Sequence, residues 1–263
     1  MIDLDIPSMI DSLRTDENST YLGSIFDLRS RMALAWPLEL SEPSPRVDRR
    51  SQILFGPLFT SESLPWPIAA ERFLQPILQI DALRINALAE GILSDEIIQI
   101  WGTAQGGVIR TVPRDEVATA KLSGIPSMET SAYHQLIFAP LEEEPIWLSC
   151  AREIIGYGDP FIDYDQSALE YEIDNALEHL ANSGIRDKLL VIKEHLKGVA
   201  PRFVHRAFGM ITGSMGLDPR DYPAPIITIE EDRYIGWGDG GSAHLCCDGR
   251  ANSSDLSFVW SPQ

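Results

Sequence analysis

The sequence predicts an α+β protein: antiparallel β units in two similar runs, with helices at the N terminus and a helical hairpin between the runs. Three observations lead there. Short β-branched runs bounded by Gly and Pro fill residues 53 to 112 and return after residue 224. Residues 166 to 200 instead space their apolar side chains by three and four, as an amphipathic helix does. A similar spacing opens the chain. With 263 residues, there is enough length for a sizeable core. We read residues 1–263 as a single domain, with β halves at 50–150 and 201–263 around a hairpin at 166–200.

Met9, Ile10 and Leu13 fit a first helix, with Asp3 and Asp5 suited to its start. Residues 21 to 36 read as a second helix stopped by Pro37. The polar stretch "ELSEPSPRVDRRSQ" is a loop. Strands are expected in "QPILQIDAL", "DEIIQIWG" and "GGVIRTVP", and near "QLIFA". The hairpin helices carry Leu169, Ile173, Ala176, Leu177 and Leu180, then Ile185, Leu189, Ile192 and Leu196. Gly184 reads as the stop of the first. Strands return in "APIITIEED", "AHLCCD" and "LSFVWSPQ". The β runs match in order: "FGPLFTSESLPWP" with "FGMITGSMGLDPRDYPAP", and "QPILQIDAL" with "APIITIEED". An internal duplication would leave this pattern, although few letters agree.

Composition narrows the function classes. There are 39 acidic and 21 basic side chains, giving a net charge of −18. Such a surface repels phosphate backbones and suits a cationic partner. No apolar run approaches the roughly 20 residues of a membrane span. "MIDLDIPSMID" has neither the basic nor the apolar region of a secretory signal. Cys150, Cys246 and Cys247 make a poor disulfide framework, which points to reduced thiols and a cytoplasmic setting.

"YIGWGDGGSAHLCCDG", residues 234 to 249, holds the most suggestive chemistry. Gly236, Gly238 and Gly241 satisfy G-x-G-x-x-G, but the run "SAHLCCDG" after them is too short for the helix that a phosphate site needs. His244, Cys246 and Cys247 lack paired metal-ligand spacing, so no metal and no cofactor is expected. No Cys/His or G-x-S-x-G signature marks a nucleophile. Asp239-Gly240 reads as a hairpin turn, since both residues tolerate positive φ, with Trp237 packing where the strand ends. The remaining histidines, His134, His179, His195 and His205, read as surface or boundary residues, and no catalytic residue is assigned.

The acids form a denser pattern. Glu142, Glu143, Glu144, Asp163, Asp165, Glu170, Asp174 and Glu178 lie in a segment where only Arg152 opposes them. Glu170, Asp174 and Glu178 fall at i, i+4 and i+8, on one helix face. Like charges at this spacing cost roughly 0.2–0.5 kcal/mol per pair. The segment is either a solvated face or a docking face for a basic partner.

Gly56, Trp66-Pro67, Gln79-Ile80-Asp81 and the late Trp237-Gly238-Asp239-Gly240-Gly241 together resemble motifs of the YwqG-like family of bacterial proteins. The resemblance covers about residues 50 to 110 and 205 to 260, outside the hairpin. It implies an α+β fold and no established enzyme chemistry. Relatives beside toxin genes imply an immunity role. Cys246-Cys247 departs from the family's usual apolar strand. The expected function is therefore a cytoplasmic immunity protein that binds a cationic toxin, with a basic nuclease as the fitting class. The rivals are a small-ligand binder or enzyme with a pocket at the 237–247 turn, and a structural adaptor.

Overall fold

The computed structural model describes residues 5–14, 19–89, 93–103, 106–127, 151–197, 204–211, 223–231, 237, 241–248 and 255–261. Helices α1 (Asp5–Asp11) and α2 (Ser19–Arg31) open the chain. Leu22, Ile25 and Leu28 turn their side chains inward from α2, and the helical spacing ends there. The second helix therefore does not run to Pro37. Residues Ala33–Leu40 form strand β1 instead, with Ala35 and Leu38 buried. Pro37 sits within that strand opposite Arg206, and its carbonyl accepts the Gly158 N–H at 2.9 Å. A proline that forbids a helix is compatible with a strand position whose own N–H is not needed.

The first half contributes β2 (Ile53–Leu54), β5 (Gln75–Asp81), β6 (Ile97–Thr103) and β7 (Gly106–Val112), with a separate hairpin of β3 (Ile68–Ala69) and β4 (Arg72–Phe73). Two short helices, α3 (Ala82–Asn86) and α4 (Arg114–Thr119), come after β5 and β7. Next are β8 (Arg152–Tyr157), β9 (Phe161–Asp163), α5 (Gln166–His179) and α6 (Ser183–Lys197). The second half supplies β10 (Arg206–Phe208), β11 (Pro225–Glu230), β12 (Ser242–Cys247) and β13 (Leu256–Ser261). The strand expected near "QLIFA" lies outside the described residues.

All ladders are antiparallel, in the order β13-β12-β11-β10-β1-β8-β2-β5-β6-β7, with β9 also on β1. Edge strands β7 and β13 approach each other, so the sheet curls into a nearly closed barrel. The halves are laid out alike. Ile53 and Leu54 face Gln79 and Leu78, as Arg206 and Ala207 face Thr228 and Ile227. A phenylalanine at positive φ comes next in both, Phe55 just after β2 at 52° and Phe208 as the last residue of β10 at 59°, and each is followed by glycine. Their neighbours are exchanged: β1, which precedes the first run, pairs with β10, and β8, which precedes the second, pairs with β2.

Two main cores result. Leu78, Ile80, Ile98 and Ile100 meet Ile227, Ile229, Ala243 and Leu245 inside the barrel. Ile10, Ile25, Leu169, Ile173, Leu189 and Ile192 close a separate core among α1, α2, α5 and α6. Each such buried side chain contributes roughly 1.5–3 kcal/mol. Gly184 is not the stop of α5. That helix closes at Leu180, and Gly184 lies in the first turn of α6, donating its N–H to Asn182 Oδ1 at 3.0 Å.

On the outer face of the first half, Gln79 and Gln99 clamp the segment that crosses over them. The Phe59 N–H donates to Gln79 Oε1 at 2.9 Å, and Gln99 Nε2 donates to the Phe59 carbonyl at 2.8 Å and to Gln79 Oε1 at 2.7 Å. The Q-I-D strand motif is thus structural here. Trp66 is too: its indole N–H donates to the Leu74 carbonyl at 2.8 Å.

Candidate partner-binding surface

Asp165 starts α5 as its N-cap, its side chain accepting the Ala168 N–H at 2.9 Å. Satisfying that otherwise orphaned donor fixes where the helix begins. Leu169, Ile173 and Ala176 then bury one side, so the opposite side is set by geometry. Tyr171, Asp174, Asn175 and Glu178 occupy that side, and all are exposed, Tyr171 by 69%. His179, one residue on, stacks with Tyr21 of α2, centroids 5.8 Å apart.

The acids are less bare than their sequence suggests. Lys193 of α6 reaches across to Asp174. Lys197 bonds Glu194 at 2.5 Å. That bond and the Glu194 charge hold Lys197 above its ordinary pKa, with Asp174 and Glu170 adding to them. Glu170 is half-buried and accepts from Gln166 at 2.9 Å. The cations come from the neighbouring helix, a relation that spacing along α5 alone does not reveal.

Asp163 does not belong to this surface. It is 6% exposed, and its Oδ2 accepts from Arg206 Nε at 2.8 Å and from the Met210 N–H at 2.9 Å. Arg206, 1% exposed, also pairs with Glu230. Burial alone would lower the Arg206 pKa; the two carboxylates outweigh it and raise it. A glycine is required beside them: Gly209 has φ 95°, and a Cβ there would collide with Asp163 and come within 3.1 Å of Arg206 Nε. His205 is buried as well, accepting the Glu230 N–H at 3.2 Å, rather than lying at the surface. Glu142, Glu143 and Glu144 lie outside the described residues.

The glycine-rich segment follows β11 and leads into β12. The strands it joins end at Glu230 and resume at Ser242, and the Glu231 N–H bonds the Gly241 carbonyl at 3.1 Å. Asp239 and Gly240 themselves lie outside the described residues. Trp237 is buried and meets Phe258 edge-on, centroids 6.1 Å apart. His244 is fully buried, sharing hydrogen bonds with Thr228 Oγ1 at 3.1 Å and Ser242 Oγ at 2.9 Å. Burial first, and then the Arg206 charge, lower its pKa to about 3. Cys246 and Cys247 are buried, and burial pushes the Cys246 thiol up to about 12. Enclosed in this way, His244, Cys246 and Cys247 do not line an open site.

Among the described residues no three His, Cys, Asp or Glu side chains gather as metal ligands, and no helix is long and apolar enough to cross a membrane. Sequence reasoning missed Tyr171 and Tyr21, because neither belongs to the apolar stripe. The available signal was Tyr171 standing between Glu170 and Glu172 on the polar side of the helix. No protein-family model matches this chain, and no curated protein matches it.

Proposed function

We propose that this protein is an immunity protein: a cytoplasmic antitoxin that binds and neutralises a cognate secreted bacterial toxin, one that is basic, with a nuclease as the best-fitting class. One observation carries the reading. On a chain of net charge −18, α5 turns outward an exposed tyrosine among carboxylates, Tyr171 beside Asp174 and Glu178. Tyrosine is enriched among residues that dominate interface energies. Complementary charge speeds encounter, as an antidote requires. The motif resemblance to YwqG-like proteins points the same way.

The rival pocket at residues 237 to 247 has less support, since His244 and Cys246 are fully buried, on the face of β12 opposite the barrel-core residues Ala243 and Leu245. The deciding experiment is co-expression with the toxin gene beside this one, scored by survival and by co-purification. Protection with a stoichiometric complex supports the reading. No protection and no complex would overturn it.

A further inference from the structure

We infer that the Asp163–Arg206–Glu230 cluster is an acid-sensitive joint holding the four-helix layer onto the barrel. Connectivity is the starting point. The chain leaves α2 at Arg31 and enters the sheet at Ala33; it leaves the sheet at Asp163 and enters α5 through its N-cap, Asp165. Ala33 and Asp163 are themselves register partners. After α6 the next strand is β10, which begins at Arg206. β10 lies beside β1 with Arg206 opposite Pro37, and the Arg206 side chain reaches back to Asp163 at 2.8 Å. Arg206 ties these strands together, bonding Asp163 on β9 and Glu230 on β11, while its Nη2 donates to the Met210 carbonyl at 3.3 Å.

Packing isolates this joint. The main barrel core and the helical core share no residue. The layer thus has its own apolar interior, and a buried ionic cluster sits where it is rooted. On the corresponding outer face of the first half, Gln79 and Gln99 form the clamp, and the guanidinium there, Arg110, bonds Gln99 Oε1 at 2.9 Å rather than a carboxylate. The groups around the cluster are His205 on β10, Arg152 of β8 at 3.4 Å from His205 Nε2, and neutral His244 on β12. One guanidinium faces two carboxylates. Protonating one carboxylate removes a charged partner of Arg206, and protonating both leaves the buried cation without a counter-charge. The layer then separates as a unit while the first half of the barrel stays folded.

Spectroscopy can follow the two parts separately. None of the six tryptophans falls within α1, α2, α5 or α6, and Trp36, Trp66, Trp101, Trp237 and Trp260 belong to the sheet and its connections, so indole emission chiefly reports that part. Far-ultraviolet dichroism at the helical band reports the layer. At pH 7 the two melting curves of the wild type coincide. As the solution is acidified they separate, the helical signal melting first. A D163N/E230Q variant, which keeps side-chain shape, shows the separation already at pH 7. In native hydrogen exchange at pH 7, its amides in α5 and α6 exchange about tenfold or more faster than the wild type's, while those of β5 and β6 stay protected. Should that variant fail to fold, wild-type exchange corrected for intrinsic rate, compared at pH 7 and pH 4, decides. Coincident melting at every pH, or equal loss of protection in β5 and α5, would overturn the joint.

Discussion

Tyr21 and His179 stack nearly parallel, 15° between ring planes, and so join α2 to α5 at the exposed side of the helical layer. The contact fixes the C-terminal end of α5 against its neighbour, as the Asp165 cap fixes its start. Between these two points the outward residues of α5 are held on a rigid rod. Preorganised side chains lose less entropy when a partner docks.

Charge reversal tests that surface directly. Replacing Glu170, Asp174 and Glu178 by Lys leaves Leu169, Ile173 and Ala176 in place, so the helical dichroism should be retained. Lys193 loses its partner at Asp174, and the melting temperature falls by a few degrees at most, since exposed pairs contribute about 0–1 kcal/mol. Association with the basic toxin should slow and lose much of its salt dependence. Stopped-flow rates against ionic strength give the comparison. Equal rates at low salt would remove this face from the interface.

Tyr171 should act through packing rather than charge. Tyr171→Ala removes a ring that is 69% exposed, so stability should be almost unchanged. Affinity for the toxin should fall by about 1–2 kcal/mol or more, mainly through faster dissociation. Calorimetric titration at fixed salt measures it. An unchanged dissociation constant would assign Tyr171 to solvent.

His244 gives a pH dependence with a definite sign. Its pKa is lowered from 6.5 in the unfolded chain to about 3 in the fold. Above pH 6.5 both states are neutral and its packing contributes fully. As pH falls from 6.5 toward about 3, the unfolded state takes up a proton that the fold refuses, and stability declines by up to about 1.4 kcal/mol per pH unit. Urea unfolding of His244→Gln beside wild type, between pH 7 and 4.5, should show a shallower loss in the variant. Parallel curves would mean that His244 is protonated in the fold.

Two glycines should respond oppositely to alanine. Gly209→Ala places a Cβ against Asp163 at a backbone φ of 95°, and should destabilise by about 2 kcal/mol or more. Gly23 lies inside α2 with nothing within 4 Å of the added carbon. Gly23→Ala should stabilise by about 0.5–1 kcal/mol. Thermal melts of the pair check both the strain and the open helix surface.

Periodicity made α5, α6 and strands β5 to β7 legible, because each has one repeating apolar pattern over a sufficient length. It failed at residues 33–40, where an apolar run ends in proline and fits two readings. Charge proved a poorer guide than periodicity. Asp163 and Asp174 look equivalent in sequence, yet one is buried against Arg206 and the other is exposed beside Lys193. Partners so distant along the chain cannot be assigned from local spacing. The paired Phe-Gly positions were visible as letters, but only the backbone shows that both phenylalanines take the same positive φ.

The exchange of β1 and β8 has a consequence for synthesis. A ribosome delivers β2, β5, β6 and β7 well before β8, the strand that borders β2. It delivers β1 first of all, yet Ala35 finds its ladder partner Phe208 only when most of the chain has emerged. Neither half can finish its sheet alone. Such distant pairings make for slow folding and leave strand edges exposed meanwhile. The nascent first half is thus the stage at which this protein most needs a chaperone.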